Sequence, residues 1–467
     1  MSEAFEDVLN YALENGFQIQ PNVSKWCEII DVNEIKNIIQ KIINKKTDKN
    51  DIVITENDFN EWINKTTNTK YNILLDPTSR ITSGEGINGY YSLFKDRFVK
   101  LKKIIMQRPE FKKINTISDV LSEKSNNIMY VCGLLLKRDT EKKFIKLIID
   151  DLTNSIEVLV FDEKIKNIAG MLLLDQLAIF KIQVNDSRNI ICKEIILPDI
   201  PERKPNRSKN DTYVVFISDL HIGSKYFMEK EFNEFISWLS SEDYIATKIA
   251  FIIIVGDLVD GIGIYPGQND ELNLDTIDKQ LHKTAYILSK IPKRIKIFVI
   301  PGNHDPGRRA LPQPAIPGKF KFFNNNENIS LIGNPSLISL NDVKVLIYHG
   351  QSIDDVVKTT PGIHYDKPTT VMKLLLRSRH LSPIYGNRTP IAPEYNDMLV
   401  IDNIPDIFVT GHVHILDYNS YRGTLLINSG TWQKQTPFQS SVGITPTPGT
   451  ALIVNLKTFK VYQNNFS

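Results

Sequence analysis

Residues 213–224 read YVVFISDLHIGS, a run of apolar and largely β-branched residues that ends in an aspartate and a histidine two places apart. Four segments downstream have the same form: KIAFIIIVGD from Lys248, IKIFVIPGNHD from Ile295, VKVLIYHG from Val343 and DIFVTGHVH from Asp406. Apolar runs this continuous belong to strands buried on both faces, and sheets of such strands need helices to cover them. Segments of helical period lie between the runs. Phe232, Phe235, Ile236 and Leu239 mark one, and Leu274, Ile277, Leu281 and Leu288 another. With TLLIN and TALIVNL further on, residues 201–467 read as one α/β domain.

Each of the five strands delivers hard or borderline metal ligands at its C-terminal end, the edge where α/β sheets bind ligands. Of the 8 histidines, His221, His304, His349, His412 and His414 all fall in these short segments, where chance would scatter them. Residues i and i+2 of an extended segment share a side. Asp219 with His221, and His412 with His414, are therefore expected to aim in pairs into one cavity. The glycines before Asp257, Asn303 and His412 allow tight turns and close backbone approach. The candidate ligands are Asp219, His221, Asp257, Asn303, His349, His412 and His414, too many for one tetrahedral ion and suited to two that share a carboxylate. Two ions about 3.5–4 Å apart hold a bridging hydroxide and neutralise a phosphate. Imidazole and carboxylate without thiolate suit Mn2+, Fe2+, Zn2+ or Ni2+, and the Asp and Asn content keeps Mg2+ open. Mn2+ is the first expectation. His304 is read as a proton donor, with Asp305 beside it to orient it or raise its pKa. Arg308 and Arg309 are read as phosphate contacts, and His282, His364 and His380 as structural or solvated residues. A lone Gly-Asp or His-Gly is usually a turn, but five such segments in order after five apolar strands reverse that reading.

Upstream the pattern changes. Residues 128–200 carry IMYVCGLLLKR, KKFIKLIID, SIEVLVFD, a short segment from Ile165 to Leu173, QLAIFKIQV and NIICKEIIL. Five strands with a short helix between the third and fourth is the order of an OB-fold barrel. A barrel that reads single strands usually shows aromatic platforms among basic residues. Few aromatics are present, so a packing module that joins domains competes with a DNA reader. PERKPNRSKN, residues 201–210, reads as an exposed linker. Residues 71–127 read as a linker, DPTSRITSGEGIN, and a basic helix, YSLFKDRFVKLKKIIMQR. Residues 1–70 read as a small helical domain whose Ile35, Ile38, Ile39, Ile42 and Ile43 share one helix face, with core packing favoured over docking on a partner.

Composition removes other classes. The 467 residues carry 56 Lys and Arg against 54 Asp and Glu, and a net charge of +2 gives no global attraction to nucleic acid or membrane. Any polyanion site must be local. Cys27, Cys132 and Cys192 are far apart and in no C-x-x-C pair, which suits a reduced compartment and argues against a thiolate metal site. MSEAFEDVLN is acidic where a signal peptide is basic, and no run approaches the ~18 apolar residues of a membrane span. A cytoplasmic protein with no membrane partner is expected.

The segments D-x-H, G-D, G-N-H-D, H-G and G-H-x-H resemble the motif set of the calcineurin-like metallophosphoesterases. That resemblance implies a β-sandwich flanked by helices with a binuclear centre. Asp219, His221, Asp257 and His414 would hold one metal, Asp257, Asn303, His349 and His412 the other, with His304 as the catalytic histidine. Longer stretches resemble the small-subunit family of archaeal family D DNA polymerases. They are SDLHIGS from Ser218, GDLVDGIGIYPGQ from Gly256, PGNHDPGRRALPQP from Pro301, RSRHLSPIYG from Arg377 and YRGTLLINSGTWQKQTPFQ from Tyr421. The order of barrel and phosphoesterase matches that family as well. It implies a proofreading 3′-5′ exonuclease whose partners are a large catalytic polymerase subunit and single-stranded or mismatched DNA 3′ ends, with a sliding clamp as a further one. Related non-catalytic subunits of eukaryotic polymerases keep this architecture without the ligands. A non-catalytic assembly subunit is therefore one alternative, and a stand-alone phosphoesterase acting on another phosphodiester is a second. The complete ligand set favours catalysis.

Overall fold

Strands form where the β-branched and aromatic runs lie. In the computed structural model, Tyr213–Ile217, Ile249–Val255 and Lys296–Ile300 pair in parallel within a six-stranded sheet, flanked by Ile329–Leu331 on one side and by Thr450–Asn455 and Val461–Asn465 on the other. A second six-stranded sheet runs in the order Leu416–Tyr421, Thr424–Ser429, Ile407–Thr410, Val343–Ile347, Ser336–Leu340, Tyr71–Leu75. Residues 3–28, 32–47, 51–58, 70–111, 113–123, 126–318, 327–441 and 443–467 are described. Residues 59–69, the end of the expected N-terminal helical domain, lie outside the described residues, as does the side chain of Cys27.

The two sheets pack face to face. Val214, Phe216, Phe251, Ile253 and Phe298 of the first meet Ile338, Val345, Ile347, Val409 and Ile427 of the second. The alternate residues of the first sheet, Val215, Ile217, Ile252 and Ile254, turn outward onto Phe232 and Phe235 of helix Glu229–Leu239 and Leu281 and Leu288 of helix Ile277–Ser289. Side chains alternate along a strand, so a strand covered on both faces must be apolar throughout. Helices Ser352–Thr359 and Pro368–Ser378 cover Leu346, Phe408 and Leu426 on the far side of the second sheet. The result is the expected α/β sandwich flanked by helices.

Ile128–Thr140, Ile145–Asp150, Ser155–Val160, Leu177–Val184 and Ile190–Ile196 close a barrel, with helix Glu163–Gly170 between the third and fourth strands. The fifth strand lies between the third and the fourth around the barrel, as in an OB-fold. In the N-terminal unit, Phe5, Val8 and Ala12 pack on Ile35, Ile38, Ile39, Ile42 and Ile43, so the isoleucine stripe closes a core of its own.

Two stretches read as linkers are built into the sandwich instead. Tyr71–Leu75 is the edge strand of the second sheet, antiparallel to Ser336–Leu340. Arg97, in the basic helix Gly86–Ile105, is buried and donates from Nε to Asp397 and from Nη1 to Pro383 O. Within residues 201–210, Arg203 and Asn206 bond the buried Asp406, and Ser208 is buried. Polar composition marks such stretches as irregular but does not separate free from docked. Their partners lie 200 residues away for Asn206 and 300 for Arg97.

Candidate metal centre

The chain leaves five strands at one edge of the sandwich, and the residues that follow converge. Asp219, His221 and His414 each bring a ligand atom within 4.8 Å of one another, as do Asp257, His349 and His412, and also His221, Asp257 and His304. Asp257 is common to two of these groups. Asn303 joins through Oδ1, 3.1 Å from His349 Nε2. All seven expected ligands are thus brought to one edge, but not by extended backbone. Asp219 (φ 53°), His221 (φ 50°), Asp257 (φ 52°), His412 (φ 69°) and His414 (φ 60°) are all left-handed. The paired ligands therefore sit on tight turns, each costing on the order of 1 kcal/mol, which persist only where the surroundings over-determine them. Two glycines let the loops approach: a Cβ on Gly302 would overlap Asp257 Oδ1, and one on Gly411 would lie 2.6 Å from Asp219 Oδ2.

Hydrogen bonds fix the rings. His349 Nδ1–H donates to Val255 O at 2.7 Å, which turns Nε2 toward Asn303 Oδ1 at 3.1 Å and Asp257 Oδ2 at 3.3 Å. His221 Nδ1 meets Asp260 Oδ1 at 3.1 Å, and its Nε2 faces His414 Nε2 at 3.2 Å. His304 Nδ1–H donates to Asp260 O at 2.7 Å. His412 Nε2 meets Asp354 Oδ2 at 3.3 Å, while its backbone N–H donates to Asp219 Oδ2 at 2.9 Å. One nitrogen tied to a carboxylate or carbonyl with the other left free is how metal-ligating histidines are oriented. Asp260 and Asp354 were not anticipated. Their only trace in the sequence is a carboxylate three residues after Asp257 and another five after His349, positions that turn and helix chemistry also fill.

The electrostatics are those of a site short of positive charge. Burial disfavours a charged Asp257, yet His349 and His304 hold its carboxyl well below the ordinary range. For Asp219 burial is likewise outweighed, by His414 and then His349, and its pKa is lowered. Burial opposes charge on His221 and His349, but Asp260 and Asp257 raise the first, and Asp257 chiefly the second, to about 9. Carboxylates and imidazoles this close compensate one another's charge, the role a bound cation otherwise takes. His414 and His304 are lowered by burial.

A direct sign that cations fit is Asp219 Oδ1. This buried oxygen accepts no hydrogen bond, although it lies 3.4 Å from His414 Nε2 and 4.0 Å from His221 Nε2. A buried acceptor left without a donor costs about 1–3 kcal/mol, and more when charged. A divalent ion held by these oxygen and imidazole donors would remove that cost.

Two of the expected residues have other partners. Asp305 does not orient His304. Its carboxylate accepts from the N–H groups of Leu258, Val259 and Gly302 at 3.3, 3.2 and 2.9 Å, tying two ligand loops together. Burial, with Asp257 nearby, pushes its pKa up to about 6. Arg308 is not free for a phosphate, because it is paired with the buried Glu394 at 2.6 Å and also bonds Ser83 Oγ and Pro312 O. Arg309 is exposed. His380, read as structural, is buried against Asp397.

Two sheets packed face to face, with Asp, Asn and His loops gathered at one edge, are the fold and site that the metallophosphoesterase resemblance implies. The DNA polymerase II small subunit of Archaeoglobus fulgidus is 40% identical over 389 residues, covering 82% of this chain and 78% of that one. The chain belongs to the DNA polymerase II small subunit family. The corresponding protein of Methanothermobacter thermautotrophicus is 38% identical over 423 residues, 88% of this chain and 84% of its own. That of Methanocaldococcus jannaschii is 37% identical over 409 residues, 85% and 68%. Residues 214–415 match the family model for the B-type subunit of DNA polymerase alpha/epsilon. Among solved structures, an archaeal phosphodiesterase aligns with 54% of this chain and 99% of its own at 15% identity, with a TM-score of 0.29. Among the described residues, no helix is long and apolar enough to cross a membrane.

Proposed function

We propose that this chain is the 3′-5′ exodeoxyribonuclease subunit of a family D DNA polymerase, working in the cytoplasm beside a large catalytic subunit and hydrolysing single-stranded or mismatched 3′ ends. The observation that carries this reading is the unpartnered Asp219 Oδ1 within a seven-ligand set that shares Asp257. Asp219, His221, Asp257 and His414 would hold one divalent ion, and Asp257, Asn303, His349 and His412 a second, Mn2+ before Mg2+, Fe2+, Zn2+ or Ni2+. Bound there, the pair supplies a solvent nucleophile of lowered pKa and neutralises the phosphate.

The chain's own groups do the rest. Asp260 holds His221 through its carboxylate and His304 through its carbonyl, so one residue sets both rings. With Nδ1–H committed to that carbonyl, His304 presents Nε2 to the reacting phosphate, and burial disfavours its charged form, so it would have to take up a proton at Nε2 before passing it to the departing 3′ oxygen. Asp354 orients His412, and Asp305 locks the loops carrying Asp257 and Asn303. Arg309 meets a neighbouring phosphate. A net charge of +2 leaves most of the grip on DNA to the large subunit and a sliding clamp.

The test is incubation of the purified chain with Mn2+, and separately with chelator, on 3′-labelled and 5′-labelled single-stranded DNA. Release of 3′-labelled mononucleotide, a shortening 5′-labelled ladder and silence in chelator are expected. Internal cuts, or equal rates in chelator, overturn the reading. His304→Ala should slow hydrolysis by about 10²- to 10⁴-fold, the scale of one general acid, with Mn2+ binding by calorimetry retained.

A further inference from the structure

After strand Thr424–Ser429 the chain crosses the metal edge, and residues 433–439 are hooked onto it at both ends. Gln433 Nε2 donates to Asp260 Oδ1 and to Ser224 Oγ, each at 3.1 Å. The amide nitrogen of Gln439 lies 2.8 Å from His414 Nδ1, and its Oε1 accepts from Thr436 N at 3.1 Å. Asp260 Oδ1 also meets His221, so the two hooks reach the two histidines whose Nε2 atoms face each other. Gln433, Thr436 and Gln439 are buried, whereas Lys434, Gln435, Pro437 and Phe438 are exposed. Phe438 is 63% exposed. Among the described residues no ring or cation packs on it, and no acid pairs with Lys434.

A bare aromatic ring and an unpaired ammonium, four residues apart on a segment pinned to a metal centre, match the two needs of a nucleotide. A base has a π-face that stacks on aromatic side chains, and its phosphate seeks a cation. We propose that Lys434 and Phe438 form a nucleotide-binding lip: Phe438 stacks on the unpaired base next to the scissile bond, and Lys434 meets the backbone phosphate. This rests on the nuclease reading above and adds how the site selects its end. Within a duplex both faces of a base are covered by its neighbours, so the ring accepts only an unstacked one. Lys434 also fills the phosphate role that Arg308 gives up to Glu394.

The experiment uses the full chain and an oligothymidylate carrying 2-aminopurine at its 3′ end. Anisotropy and 2-aminopurine quenching are read in chelator. With Mn2+, kcat/KM is then taken on the same oligonucleotide relative to bis(p-nitrophenyl) phosphate, which has no base. Phe438→Ala should abolish the quench, weaken binding by about 5- to 100-fold, the worth of one stacked base, and lower that selectivity by a similar factor. Phe438→Trp should restore all three. Lys434→Ala should weaken binding and reduce the slope of log affinity against log salt by about 0.7. Phe161→Ala, an exposed ring on the barrel, should change nothing. Phe438→Ala with wild-type quench and affinity overturns the lip, and the nuclease reading stands. A wild-type chain that binds and quenches but hydrolyses neither substrate overturns the nuclease reading, and the lip stands.

Discussion

Asp397 and Asp219 are both aspartates with almost no exposure, 2% and 0%, and both face histidine. Asp397 is fully used: Oδ2 accepts from Arg97 Nε at 2.8 Å and from His380 Nε2–H at 3.0 Å, and Oδ1 from Leu399 N–H at 3.0 Å. Burial works against its charge, but His380 and Arg97 hold its pKa far below the ordinary range. Asp219 has one oxygen on His412 N–H and the other on nothing. The first carboxylate fastens the helix Gly86–Ile105 to the sandwich with both oxygens paired, although Arg97 Nη2 beside it has no partner. The second leaves a buried carboxylate oxygen without a partner, the place where the proposed cation would sit. Burial of charge is common to structure and function, and what separates them is whether the partners are all supplied by the chain.

The contrast is tested most strongly by removing the shared carboxylate. Asp257→Ala should cut hydrolysis of labelled single-stranded DNA by at least about 10³-fold, the several kcal/mol of charge stabilisation a metal site supplies, without lowering the metal-free melting temperature. A rate within tenfold of wild type would sink the binuclear centre. Asp397→Ala should do the opposite. It leaves Arg97 buried without its counter-charge and should cost about 3–5 kcal/mol in urea unfolding, with the rate per folded molecule little changed. A cost under about 1 kcal/mol would erase the distinction.

Acid sharpens it further. Ser382 N–H donates to His380 Nδ1, so the ring is neutral and gives its Nε2–H to Asp397. Burial, reinforced by Arg97, pulls the pKa of His380 down to about 4. The unfolded chain takes up this proton near pH 6.5 and the folded chain only near 4, so the unfolded state binds more protons between them. Stability is therefore present above pH 6.5 and lost as pH falls to 4, by at most about 3 kcal/mol from this group. Denaturation midpoints for wild type and His380→Gln should diverge across that window, and parallel curves would refute the assignment. The smallest effect concerns the open cluster. Mn2+ at 100 times its Kd should stabilise the fold by about 2.7 kcal/mol, read as a rise in melting temperature that Asp219→Asn removes.

The candidate ligands are legible because each follows an apolar run, and strand ends at one sheet edge must meet. Their left-handed backbone was not, since Asp and His adopt it only where tertiary contacts impose it. Asp305 and Arg308 take partners that the sequence does not show, for a related reason. The first serves backbone donors at Leu258 and Val259, and the second a carboxylate 86 residues away. Neither relation leaves a local pattern. Among strands, Leu416–Tyr421 and Val461–Asn465 escaped detection because LDYNSY and VYQNN lie at sheet edges with polar residues on the open side. Tyr71–Leu75 was hidden because an edge strand of five residues owes its conformation to its partner.

That edge strand also bears on how the chain is made. Lys70 N–H donates to Asn341 Oδ1, 271 residues later. At about 5–20 residues per second on a ribosome, the early strand waits roughly 15–55 s for its neighbour to emerge, while the barrel assembles in the interval. Its Ile73 and Leu74 remain 43% and 39% exposed even in the finished protein. A fragment begun at residue 201 would lack it altogether, and Ser336–Leu340 would become a bare rim open to pairing with other molecules.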